Sequence, residues 1–389
     1  MSDVRSFGVR AFCVLSILLV LNSACQDTAS AESPSTDNGA EAVTSFPPAR
    51  WHRASGAPPG VRYVGSAVCE SCHSDVAQEQ AKTSMRMTST RGENSSYLSN
   101  HAVLRYHEGK FSITIERKKN QAIYSVSDGQ QSLSVPITWA FGVGAGQTYI
   151  LEYEKAYYES RVSFYRDING LGLTLGHDPK PVTTLSAGLG RLLSQDEKNK
   201  CFPCHTSEGV LDGKLQPDRM KPGVTCENCH GPGSQHIEAI NNRDWKHLHI
   251  FNPGRLQMGE VNDFCGTCHR STREVAVAGI FGIRNVRFQP YRLEGSRCYD
   301  VNDKRITCLA CHDPHVQLVT NIQSYDSKCL ACHVLRGQVR TASQTAPPCP
   351  RADKSCASCH MPKLALPGAH HKFADHQIRV YRAAEKYPN

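Results

Sequence analysis

Aromatic residues are scarce: 3 Trp, 14 Tyr and 12 Phe make up only 7% of 389 residues. A core for a chain this long ordinarily leans on more of them, so something besides side chains is expected to fill part of it. No apolar run beyond residue 21 is long enough to cross a bilayer, which removes a spanning helix from the rest of the chain. There is no basic block either. Lys and Arg outnumber Asp and Glu by 44 to 36, a net charge of +8. They are scattered without interleaved aromatics, and this excludes nucleic-acid binding. The glycines of Phe141-Gly-Val-Gly-Ala-Gly146 are followed by no G-K-[ST], so they read as a turn rather than a phosphate loop. No serine triad or carboxylate pair stands out.

What the chain has in excess is cysteine and histidine, 18 of each. The cysteines fall into Cys69-Glu-Ser-Cys72-His73, Cys201-Phe-Pro-Cys204-His205, Cys226-Glu-Asn-Cys229-His230 and Cys265-Gly-Thr-Cys268-His269. Three more follow: Cys308-Leu-Ala-Cys311-His312, Cys329-Leu-Ala-Cys332-His333 and Cys356-Ala-Ser-Cys359-His360. Chance would supply roughly 0.04 copies of C-x-x-C-H in this composition. The spacing has a mechanism: two thiols three residues apart add to the vinyl groups of one haem, and the next His becomes the proximal iron ligand. A redox C-x-x-C pair or a zinc ribbon does not require that His in every copy. Seven covalent haem c groups, with their iron, are therefore expected, and their propionates would offset the basic excess.

Arg5 and Arg10 precede an apolar stretch from Ala11 to Leu21, and small residues follow, the order of a secretory signal over residues 1–24. Two processing sites compete. Leu21-Asn-Ser-Ala-Cys25 resembles a lipobox that would place a lipid anchor on Cys25, although Asn22 departs from the usual aliphatic residue. Ala29-Ser-Ala31 is an A-x-A site. The lipoprotein is preferred, and residues 25–61, rich in Ser, Ala, Pro and Thr, form a disordered tether in either case. Cys298 and Cys349 lie outside every motif, and an exported chain suggests a disulfide between them.

The motifs divide the rest of the chain into a haem 1 segment (62–101), a β-rich insert (102–180) and a six-haem cluster (181–380). About 27 residues per haem in the cluster is too little chain for a conventional core, so the haems pack together under short helices and loops. Between them, Phe111-Ser-Ile113-Thr-Ile115 and Ile123-Tyr-Ser-Val126 alternate, Asp128-Gly129 is a turn signal, and the β character continues to Tyr165. The fold expected is a multihaem cytochrome c: a haem-packed core with short helices and loops, plus a small antiparallel β insert.

Eleven histidines remain for distal positions: His52, His101, His107, His177, His236, His247, His249, His315, His370, His371 and His376. His236 follows a Gly-Pro turn and His315 an Asp-Pro turn, each too close to its own motif to cross its own haem, so each is expected to ligate a neighbour. Haem 1 is followed by 27 residues without His, but with Met85 and Met87. Met85 is the expected ligand there, Met87 the second choice and His101 the alternative. Met ligation would raise the potential and make haem 1 a distinct end of the chain, set apart by the β insert.

Tyr63-Val-Gly-Ser66, His230-Gly-Pro-Gly-Ser-Gln-His236, Asn252-Pro-Gly-Arg255, His312-Asp-Pro-His315, His360-Met-Pro-Lys363 and Ala374-Asp-His376 together resemble one family. It is the exported multihaem cytochrome c family related to the tetrahaem cytochrome of ammonia oxidisers. Its relatives often carry tetratricopeptide repeats, which this sequence lacks at its end. The resemblance covers about residues 62–380. It implies electron transfer with redox partner proteins and distal ligation by His236, His315 and His376, with His101 and His177 as further matches. The expected protein is thus a periplasmic or extracytoplasmic electron carrier. The competing class is a multihaem reductase of the nitrite, hydroxylamine or tetrathionate type, which needs one open haem. All seven motifs end in His and spare histidines exceed the distal positions, which favours the carrier.

Overall fold

The computed structural model describes residues 60–300, 302–303, 305–382 and 387. The signal, both processing sites, Cys25 and His52 lie outside the described residues. Among the described residues, no helix is long and apolar enough to cross a membrane.

The β-rich part is larger than the small insert expected. Nine strands form one antiparallel sheet: β1 (Ser89–Arg91), β2 (Val103–Glu108), β3 (Phe111–Lys118), β4 (Gln121–Ser127), β5 (Ser132–Phe141), β6 (Gly146–Tyr153), β7 (Ala156–Tyr165), β8 (Gly170–Leu173) and β9 (Gly190–Leu192). Strands β2 to β8 pair in chain order as a meander. β1 then pairs with β5, and β9 with β7. The two added strands come from outside residues 102–180. Each is three residues long, too short to show a two-residue alternation in the sequence.

The alternation in the longer strands does decide which face is buried. Ile113, Tyr124, Val126, Leu151, Val162 and Leu189 are fully buried in one cluster. Each such side chain contributes about 1.5–3 kcal/mol by leaving water. The meander curls enough to bring β2 beside β8. A buried ion pair joins Glu108 of β2 to Arg161 of β7 (Nε to Oε2, 3.0 Å), and Arg161 also donates to the carbonyls of Asp178 and Lys180. The glycine run between β5 and β6 is a turn, as expected, with Gly142 and Gly144 at positive φ.

The sheet does not stand apart from the motifs. Trp139, Phe141 and Ile150 pack with Leu193, Phe202, Val210 and Met220 in a second apolar cluster, which joins the sheet to helix Gln195–His205 and so to motif 2. From residue 226 onward the chain is mostly short helices and loops, with one antiparallel hairpin of Lys363–Leu366 and His371–Ala374. The apolar cluster there is small, with Val286, Leu366 and Ala369 at its centre.

Candidate haem-binding centres

All seven motifs occupy short helices or their ends: Ser66–Glu70, Gln195–His205, Cys226–His230, Met258–His269, Cys308–Cys311, Asp326–Leu330 and Cys356–His360. A helical turn puts thiols i and i+3 on one side with the His one residue further on. Where the helix stops before the His, the turn still closes: the N–H groups of His73, His312 and His333 donate to the carbonyls of Cys69, Cys308 and Cys329 at 2.9 Å.

Haem 1 is not the isolated site that its sequence position suggested. The Cys69 and Cys226 thiols lie next to each other. Beside them the buried carboxylate of Glu227, inside motif 3, accepts the N–H groups of Val64 and Gly65 at 2.8 Å and of Gly233 at 2.9 Å. Arg62 and Ser234 exchange two further bonds. The insert therefore loops out and returns, leaving motif 1 docked on motif 3.

The same kind of contact runs through the other motifs. Cys204 lies beside Cys268, Cys265 beside Cys308, and Cys329 beside Cys356. The Cys229 thiol lies near Cys268, and Cys311 near Cys329. Motifs 1, 3, 4, 5, 6 and 7 thus form a continuous series, with motif 2 beside motif 4. Asp326, opening the motif 6 helix, takes the N–H groups of Ser355 and Cys356 (2.6 and 2.8 Å) and so caps motif 7.

The imidazoles divide by which nitrogen is engaged. Nδ1 of His230 bonds to the Phe251 carbonyl (2.9 Å), His236 to Leu248 (2.8 Å), His360 to Arg379 (2.8 Å) and His376 to Ala374 (3.1 Å). Nδ1 of His205 meets the Thr88 hydroxyl at 3.1 Å. A ring held this way by Nδ1 presents Nε2 as the lone-pair donor, the arrangement usual for a metal-ligating His. Burial pushes the His205, His230 and His312 imidazoles below their ordinary pKa, and His376 down to about 4. All four are neutral near pH 7, which is the ligating form.

Two ring pairs follow. His230 and His315 are stacked, with centroids 5.9 Å apart and planes 12° apart; His312 and His376 lie 6.3 Å apart at 40°. Two imidazoles sharing one metal, each nitrogen about 2 Å from it, have centroids roughly 6 Å apart. The residues therefore fit haem iron at motifs 3 and 5. Among the described residues, no three His, Cys, Asp or Glu groups converge as a bare-metal site would require.

The remaining sequence candidates are placed differently. His101 has both nitrogens engaged, Nδ1 with the Tyr97 carbonyl (2.7 Å) and Nε2 with Asn169 (3.1 Å). Nε2 of the almost fully buried His177 pairs with Glu159 at 3.1 Å. Met85 is half-buried in the turn after helix Ser74–Ala81, its carbonyl accepting from the Val224 N–H (3.1 Å), and Met87 is exposed. Both therefore lie in a turn packed against motifs 2 and 3. Cys298 and Cys349, the expected disulfide pair, are both half-buried.

Sequence reasoning missed the group that holds His376. The Asp375 carboxylate, wholly buried, is gripped by Arg292 through Nε (2.9 Å) and Nη2 (3.1 Å) and by Arg379 (2.6 Å). Only the acidic residue beside a late His, with Arg379 four residues on, could have signalled it, because Arg292 comes from another part of the chain.

The family described as cytochrome c554 and c-prime matches residues 177–231. Multiheme cytochrome MtrA of Shewanella baltica is 24% identical over 174 residues, 42% of this chain and 45% of that protein. Dissimilatory sulfite reductase MccA of Wolinella succinogenes is 25% identical over 181 residues, 38% of this chain and 23% of that one. The chain thus spans less than half the length of either curated relative. The crystal structure of outer cell wall cytochrome OcwA superposes with a TM-score of 0.47 at 16% identity, covering 82% of this chain and 79% of that one. A motif whose spacing is that of covalent haem, repeated along a chain with these relatives, makes this a multihaem c-type cytochrome.

Proposed function

We propose that this is an exported seven-haem electron-transfer protein. The observation that carries the reading is that the motifs lie close together, Cys69 beside Cys226, Cys265 beside Cys308 and Cys329 beside Cys356. Haem c bound at such motifs supplies an iron that takes up and releases single electrons. The chain's own part is to hold the sites together and fix their ligands. Phe251 and Ala374 orient the His230 and His376 rings through their carbonyls, and His315 and His376 supply second ligands from turns beyond their neighbours' motifs. Export, with Cys25 as a lipid anchor, fits the basic and apolar order of the first 24 residues. It would present the protein to redox partners in the periplasm or at the cell surface.

The other reading, a multihaem reductase, is favoured by one observation. Among the described residues, imidazole ring pairs are seen at two motif histidines, His230 with His315 and His312 with His376. Two measurements decide. A pyridine haemochrome assay should give seven haems per chain, and a reductive titration should consume seven electrons with every haem low-spin. Six or fewer haems would defeat the count. A high-spin fraction that binds nitrite, hydroxylamine or sulfite would make the protein an enzyme.

A further inference from the structure

We propose that the exposed segment between motifs 6 and 7, residues 336–355, is the docking surface for an acidic redox protein, an inference that rests on the electron-transfer reading. Arg336, Arg340, Arg351 and Lys354 are all exposed here, against the single carboxylate of Asp353. Among the described residues, none of the four pairs with a carboxylate; Arg336 reaches only the Pro350 carbonyl, at 3.5 Å. Unpaired cations gathered in one exposed segment present a positive field to whatever approaches.

The position matters as much as the charge. Motif 7 is the last in the contact series, joined to the rest through Cys329 and Cys356, and its Cys359 is exposed. A surface beside the terminal motif is where an electron would enter or leave. The segment is also held in place while lacking helix or strand. Ala346 donates to the Cys332 carbonyl at 3.2 Å and bridges to His333, and Arg305 donates to the Ser343 carbonyl at 2.9 Å. Its charges therefore have a fixed relation to motifs 6 and 7.

The other end of the series has the opposite sign. Around motif 1, Glu70, Asp75 and Glu79 are exposed together with the cations Arg62 and Lys82, of which Lys82 is paired with Glu79 at 2.6 Å. An acidic partner is thus attracted to the motif 7 end and repelled from the motif 1 end. Charge arranged this way sets encounter rate and orientation more than affinity.

The test uses reduced flavodoxin as an acidic protein probe and reduced hexaammineruthenium as a small cationic one, with the complete holoprotein oxidised in a stopped-flow instrument. With flavodoxin, the wild-type rate should fall steeply as salt rises. The combined variant Arg336→Gln, Arg340→Gln, Arg351→Gln and Lys354→Gln should react about tenfold more slowly at low salt, with the salt dependence flattened. Its rate with hexaammineruthenium should be unchanged or faster. Equal haem content establishes that the variant folds, and the pairs Arg336/Arg340 and Arg351/Lys354 can be neutralised separately if it does not. An unaltered flavodoxin rate would overturn the proposal. So would a slower flavodoxin rate accompanied by shifted haem potentials, since the cations would then be serving haem propionates. Failure of the wild type to exchange with either probe would instead overturn electron transfer itself.

Discussion

The His315 ring lies parallel to that of His230, with centroids 5.9 Å and planes 12° apart, although it follows a motif that begins 82 residues further along the chain than motif 3. A histidine three residues past its own motif cannot reach across its own haem, but it can reach a neighbour's. The turn after motif 5 is thereby what brings a second imidazole to motif 3.

Replacing His315 with Ala should therefore change motif 3 and leave motif 5 intact. The expected result is one high-spin haem with an unchanged covalent haem count. Electron paramagnetic resonance of the oxidised protein reads this directly, and an all-low-spin spectrum would place His315 outside the coordination sphere.

His101→Ala and His177→Ala should leave every haem signal as it is, because the ring nitrogens that could bind iron are already bonded to Asn169 and Glu159. A new high-spin signal in either variant would show that the loaded protein rearranges there.

Asp375→Asn should destabilise the protein by about 3–5 kcal/mol, the usual cost of removing one partner from a buried ion pair. Arg292 and Arg379 would keep their charges in a site where Arg292 is only 2% exposed. Urea denaturation gives the magnitude. Disturbed low-spin signals at motif 5 would show that this pair also steadies His376.

Glu227→Gln should loosen motif 1 from motif 3 without breaking any C-x-x-C-H. Three backbone N–H groups would lose a charged acceptor, at a cost of about 2 kcal/mol or more. Limited proteolysis should then cut near residues 62–65 faster than in wild type; an unchanged pattern would mean that Arg62 and Ser234 suffice.

Acid should act through Glu159. Burial alone would raise its carboxyl pKa, but the bonds from His177 and Arg191 outweigh burial and hold it below the ordinary value. A carboxylate with a depressed folded-state pKa stabilises the fold above the unfolded value of about 4.5, and that contribution is lost as pH falls below it. The stability of Glu159→Gln should consequently fall less steeply than wild type below about pH 4.5, as thermal midpoints across pH would show.

The chemistry was legible in the sequence because it is local. Two thiols and a histidine within five residues meet on one helical turn whatever surrounds them, and all seven motifs can be found by reading along the chain. The alternation at Phe111–Ile115 and Ile123–Val126 was local in the same sense, and it marked the long strands. The three-residue strands β1 and β9 carried no such pattern, so the sheet was underestimated.

Proximity between distant residues could not be read in this way. Motif 1 looked solitary because more than 120 residues separate it from motif 2, yet a β-sheet returns the chain close to where it left, and Glu227 draws the two ends together. Likewise, nothing in the order of residues says that His315 faces His230, or that His101 is spent on Asn169. A C-x-x-C-H motif specifies one haem through short-range covalent geometry. Which histidine completes the iron, and which haems lie next to each other, depends on hydrogen bonds and packing between segments that only the folded chain brings together.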